Sequence, residues 1–156
     1  MADSRLYPIG TGASKSRQIG NTFVEFGVLK TQRFRVLVAQ VNAGFVLLPA
    51  LPGVKWRIAD AAMISVGGAA GGGTSVDLLG TKAGSASRPL VIAVAALGQS
   101  VLTRAGVTNA VILADGASFT AHDTNTSISV TKQNAGSAIT GSVSIDVILS
   151  YIADQS

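Results

Sequence analysis

Along residues 143–152 apolar and polar side chains alternate. Val143, Ile145, Val147, Leu149 and Tyr151 fall on one side of an extended backbone, and Ser144, Asp146 and Ser150 fall on the other. A period of two predicts a strand with one face in a core. Weaker forms of the same signature recur upstream. Phe23, Val24, Phe26 and Val28 predict a first strand. Residues 34–41 predict a second, with Phe34, Val36 and Val38 alternating with Arg35, Leu37 and Ala39. The turn signal Asn42-Ala43-Gly44 separates it from a short third strand over 45–48, which the Pro49 to Gly53 stretch then ends. In residues 55–66, Trp56, Ile58, Ala62, Ile64 and Val66 share one face of a fourth strand that Asp60 would share too. That conflict predicts either a bulge near Asp60 or a rim carboxylate accepting backbone hydrogen bonds, and a helix over 58–64 is the competing reading.

Further along, 74–79 reads as a strand and 81–87 as a loop. Residues 90–97 are apolar on both faces, which predicts a strand covered on both sides, either central in a sheet or buried between subunits. Short strands over 111–113, 118–120 and 126–131 follow, with Asp115-Gly116 as a tight hairpin turn. The run Gly67 to Gly73 predicts a mobile connector or a place where subunit backbones approach closely. Residues 1–21 lack periodicity and read as an extended arm ahead of one domain, 22–156. The pattern is all-β: a β-sandwich or jelly roll with an extended N-terminal arm.

Composition sharpens this. Of the 156 residues 47% are apolar and only 13% charged, against about 25% charged in an ordinary soluble domain. So little solvating surface implies that part of the exterior is covered, by sister copies or by a larger assembly. No cysteine is present, which removes disulfides and thiolate metal sites. The start lacks the apolar run of a signal peptide, and 90–97 is far too short to span a bilayer; the expectation is a soluble protein made in the cytoplasm, without membrane contact. Residues 1–35 hold six basic and two acidic residues, while 36–156 balance at six and six. Arg5, Lys15 and Arg17, with Leu6, Tyr7 and Ile9 to bury, therefore suit the arm to an acidic partner surface. Nucleic acid is disfavoured, because no aromatic residues are interleaved with the basic ones.

Catalytic motifs are scarce. His122 is the only histidine and Glu25 the only glutamate, so a base with an oriented partner has few sources. His122 sits beside Asp123 in a polar turn, and a solvated loop histidine is expected. The oxygens of Asp123 to Ser127 alternate like the start of a calcium loop but lack its glycine and closing glutamate, which favours an ordinary turn. The glycine run is not followed by Gly-Lys-Ser/Thr, and no G-x-S-x-G elbow occurs. The expectation is a protein without catalysis, metal or cofactor.

One likeness covers 45–151. Pro49-Ala50-Leu51-Pro52-Gly53-Val54-Lys55-Trp56-Arg57-Ile58 leads into Val66-Gly67-Gly68 and then Thr74-Ser75-Val76-Asp77-Leu78-Leu79-Gly80-Thr81. Val111 to Phe119 then leads to Ile145-Asp146-Val147-Ile148-Leu149-Ser150-Tyr151. This order resembles small virion structural proteins of tailed bacteriophages, in particular capsid decoration (cement) proteins. The resemblance implies a β-sandwich or jelly-roll protomer, a homotrimer at three-fold positions of the head lattice, the major capsid protein as partner, a place on the virion surface, and no catalysis. With it, Leu90, Val91, Ile92, Val94 and Leu97 become the expected subunit interface. Arg5, Leu6, Tyr7, Lys15 and Arg17 become the expected capsid contacts of the arm, which itself lies outside the likeness. The competing expectations are a head-fibre or tail-tip module binding a receptor or carbohydrate, for which Trp56 is the obvious platform, and a head–tail or tail-tube component.

Overall fold

A computed structural model describes residues 15–19, 22–104, 121–133 and 137–156. The expected strands over 111–113 and 118–120, the Asp115-Gly116 turn, and Arg5, Leu6 and Tyr7 lie outside the described residues. Among the described residues ten strands form two sheets: β1 Lys15–Ile19, β2 Thr22–Phe26, β3 Leu29–Leu37, β4 Phe45–Leu48, β5 Val54–Val66, β6 Ser75–Lys82, β7 Ser85–Ala93, β8 Leu102–Arg104, β9 Ile128–Lys132 and β10 Ser144–Gln155. One helix of six residues, α1 Val38–Ala43, follows β3. The six-stranded sheet runs β1-β2-β10-β5-β8, with β3 also paired to β10; the four-stranded sheet runs β4-β9-β6-β7. The chain is an all-β sandwich.

Strand β10 is the axis. It pairs antiparallel with β3 along one edge and with β5 along the other. Its odd-numbered residues Ile145, Val147 and Leu149 are completely buried, and Tyr151 and Ala153 nearly so, as the alternation predicts. Each large apolar side chain so buried contributes about 1.5–3 kcal/mol. Val143, expected on the same face, precedes the strand and is exposed.

The conflict at Asp60 is resolved by a bulge. Ser150 lies opposite Asp60 and Tyr151 opposite Ile58, so Ala59 is the extra residue on β5. Side chains change faces there: Val54, Trp56 and Ile58 point inward before the bulge, and Ala61, Met63 and Ser65 after it, by their pairing with inward residues of β10. Ala62, Ile64 and Val66, expected inside, are on the outer face. The helix over 58–64 does not form.

Three other expectations change. The strand predicted over 34–41 stops at Leu37, whose N–H donates to Gln40 Oε1 at 2.9 Å as the chain turns into α1. Val36, Val38 and Val41 are all buried, so the alternation hands over to helical spacing within a few residues. Residues 81–87 are not a loop but a hairpin, with Ala83 and Gly84 both at positive φ between β6 and β7, the geometry of a two-residue turn matched to strand twist. Residues 15–19, assigned to the arm, form β1 and pair with β2.

The glycine run is a close backbone crossing, but within one chain. Gly71 and Thr140 exchange two N–H to carbonyl bonds of 2.9 Å. A Cβ on Gly68, at φ +144°, would overlap the carbonyl oxygen of Gly141. Glycine is required there by space as well as by conformation.

Candidate functional site

Directly opposed residues of paired strands share a face, so the register fixes what the six-stranded sheet shows to solvent. Arg35 lies opposite Asp146, Asp146 opposite Ile64, and Ile64 opposite Leu102. Two residues along, the row reads Arg33, Ile148, Ala62, Arg104. Beyond it come Thr31, Ser150 and Asp60, then Leu29, Ile152 and Arg57, with Asp154 opposite Lys55 at the end.

The centre of this face is Asp146. Its side chain is 0% exposed although it stands on the solvent side of the sheet, because two guanidiniums lie over it. Arg35 donates from Nε to Oδ1 at 2.8 Å and from Nη2 to Oδ2 at 3.0 Å. Arg33 donates from Nε to Oδ2 at 2.8 Å and also from Nη2 to the same oxygen. The hydrogen bonds from Arg35 are the main cause holding the Asp146 carboxyl below its ordinary range; burial opposes them, and Arg33 adds to them. The Arg35 guanidinium is correspondingly held above its own ordinary value by the hydrogen bond and charge of Asp146. Both arginine side chains remain more than half exposed. Their Nη1 groups have no partner among the described residues. Around them, Leu29, Leu37 and Leu102 are each more than half exposed. Arg104 pairs with Asp60 at 3.1 Å, and Arg57 donates from Nε to Asp154 at 2.9 Å.

The four-stranded sheet shows a different exterior. Its rows are Val46, Ser129, Leu79 and then Thr131, Asp77, Val91. Val46 is 50% and Val91 39% exposed. Asp77, buried like Asp146, accepts from Ser75 Oγ at 2.6 Å and from Arg88 Nη1. One carboxylate meets one guanidinium, and the remaining positions are small polar or aliphatic.

Of the expected interface residues, Leu90, Ile92, Val94 and Leu97 are buried in the protomer's own core. Strand β7 has a single strand neighbour among the described residues, β6, and is not central. It is apolar on its inner face because it closes the sandwich; only Val91 of the five is available to a partner. Of the arm residues, Arg17 lies on β1, its Nη2 3.4 Å from the Pro52 carbonyl oxygen. Lys15 pairs through its backbone with Phe26.

His122 is buried, contrary to the solvated histidine expected. Its imidazole packs over Gly80, where a Cβ would collide with the ring. Its Nδ1 is 3.1 Å from the Trp56 carbonyl oxygen, while Nε2 has no partner among the described residues. Burial pushes the His122 pKa below its ordinary value, against the Trp56 carbonyl bond. The next residue, Asp123, accepts 2.8 Å bonds from the N–H groups of Ala83 and Gly84. These bonds, that of Gly84 foremost, hold its carboxyl low. The Asp123 to Ser127 segment thus braces a hairpin. Trp56 is 4% exposed, donates from Nε1 to the Pro49 carbonyl at 2.9 Å, and meets Tyr151 edge to face at 5.7 Å. It offers no open platform for a sugar, although Trp56, Tyr151, Phe23 and Phe34 help line a pocket of about 250 Å³.

Among the described residues no three His, Asp or Glu side chains are grouped to hold a metal ion, and no helix is long and apolar enough to cross a membrane. The sequence reading missed Arg33, Arg35 and Asp146. Their signal was a basic-apolar-basic triplet in one strand and a lone acid on the polar side of another.

The fold and its faces define a two-sheet sandwich with one basic, aliphatic exterior and one neutral exterior. No family model, curated protein or solved structure matches the chain.

Proposed function

We propose that this chain is a capsid decoration protein of a tailed bacteriophage, a homotrimer seated on the lattice of the major capsid protein and stabilising it from the virion surface. The protein is made in the host bacterial cytoplasm and works by covering surface, not by catalysis. The observation that carries this reading is the neutral exterior of the four-stranded sheet. Val46 and Val91 are exposed there, on a face whose Arg88 and Asp77 neutralise each other. Such a face packs without charge repulsion against a different patch of the neighbouring copy, head to tail as a three-fold ring requires, and removes apolar area from water at about 25 cal/mol per Å² on contact. A trimer then presents three copies of every other surface, so one seated subunit holds the remaining two at high local concentration.

The arm is assigned to the shell through Arg5, Leu6 and Tyr7. Strand β1 belongs to the sandwich, so the informative deletion removes residues 1–14 and keeps β1. Native mass measurement and co-sedimentation with undecorated phage heads test the whole reading. A trimer that sediments with heads is expected, with head binding weakened by the deletion. A monomer that stays in the supernatant would refute it.

A further inference from the structure

We propose that the outer face of the six-stranded sheet is an anchor for carboxylate side chains on an acidic protein surface, with Arg33 and Arg35, locked by Asp146, as the receiving pair. This deepens the decoration reading and rests on it only for the location of that surface, the capsid shell.

Two guanidiniums share one carboxylate, which leaves a local surplus of one positive charge held in fixed geometry. Each arginine spends Nε and one N–H of Nη2 on Asp146 and keeps its Nη1/Nη2 edge for a partner. A guanidinium binds a carboxylate with two parallel N–H bonds, which suits this arrangement better than a flexible ammonium would. Asp146 also lowers the entropic cost of binding, because the two longest side chains of the site are already ordered. Ile64 and Ile148 beside the pair, with exposed Leu37 and Leu102 at the margins, exclude water around the new bonds.

Charge and composition select the occupant. The face carries five basic residues against three acidic ones, so a second copy of the same face would meet it with like net charge. A nucleic acid would use neither the aliphatic residues nor the acidic ones; Phe34 and Tyr151 point inward and the exposed Phe23 belongs to β2, outside these rows, so no aromatic stacking platform stands in the rows of the arginine pair. An acidic protein surface with aliphatic residues between its carboxylates uses all of it. Nine residues on each of three strands and the three residues of β8, at about 4.8 Å spacing and about 3.3 Å rise, give roughly 480 Å², below the ~800 Å² per partner of a standard interface. A single copy therefore binds weakly, and repetition on an oligomer supplies the strength.

The test uses the full chain and a fluorescent hexaglutamate peptide at low salt, with a neutral Gly-Ser peptide and a short DNA duplex as comparators. Arg33→Ser with Arg35→Ser should weaken hexaglutamate binding about tenfold or more, whereas Arg88→Ser on the other sheet should leave it within about twofold. Asp146→Asn separates a fixed receptor from diffuse attraction. It makes the face more positive but releases the arginines, and binding should weaken. Unchanged binding in the double-arginine variant, tighter binding in Asp146→Asn, or a preference for DNA over hexaglutamate would each overturn the proposal. If the double variant does not fold, Arg33→Ser, Arg35→Ser and Asp146→Ser together remove the buried charge and serve in its place. Oligomeric state is read separately by native mass measurement; a monomer that still binds hexaglutamate counts against the decoration reading and leaves this one standing.

Discussion

Asp146 and Asp77 stand on the solvent sides of two different sheets, and neither carboxylate sees solvent. Asp77 is closed by a serine and one arginine, so its site is neutral. Asp146 is closed by two arginines, so its site is charged and has donors to spare. A buried ion is tolerable only when it is paired and hydrogen-bonded, and in both sites each carboxylate oxygen has at least one donor. The difference is what remains afterwards. One ion pair merely seals its face, and the other turns its face outward toward a partner.

The most drastic way to break this contrast is to charge the neutral face. Val46→Asp with Val91→Asp should convert the proposed trimer to monomer in native mass spectra, while Leu102→Asp on the other sheet should leave it intact. Next in size is the removal of the caps. Arg33→Ala with Arg35→Ala leaves Asp146 without its four bonds and should lower stability by about 1–3 kcal/mol in urea melts, toward the lower end because water can then reach the carboxylate. Arg88→Ala should cost less, since Ser75 still donates to Asp77.

A third difference is visible in acid. The folded pKa of Asp146 is depressed, so its contribution is complete above its ordinary value near 3.8 and is lost as pH falls through the lower folded value. Asp146→Asn should flatten that limb of the stability profile. His122 adds an earlier one: its folded pKa is also depressed, so stability declines as pH falls below about 6.5, and His122→Gln should remove that decline. The smallest effect is expected from Arg33→Lys, which keeps the charge but not the two-point geometry and should cost a few tenths of a kcal/mol up to about 1.

Much of the scaffold was legible because alternation is a local signal. Strand β10 could be read from its own residues, and the misfit of Asp60 left a bulge or a rim carboxylate open, of which the bulge is the one that forms. Which residues that bulge sent outward was not legible, because it depends on pairing with β10 some ninety residues away. The same limit hid the site. Arg33, Arg35 and Asp146 are unremarkable singly and meaningful only in register across 113 residues. Burial of His122 was hidden too, since it depends on Gly80 of another strand leaving room for the ring. The apolar run at 90–97 misled for a different reason: Leu90 and Ile92 enter the core from β7, and Val94 and Leu97 enter it from the turn that follows. A strand and a turn that both fill one core read, in sequence, like a strand with two buried faces.

The insertion of β10 between β3 and β5 also governs how the molecule can be assembled. During synthesis both neighbours emerge long before the strand that joins them, so each presents an unsatisfied edge to its surroundings in the meantime. Closure of the larger sheet waits on a very distant segment, which makes folding slow for a chain of this size. A nascent chain with two sticky borders in a crowded cell is exposed to mispairing with its siblings until β10 emerges to fill the gap.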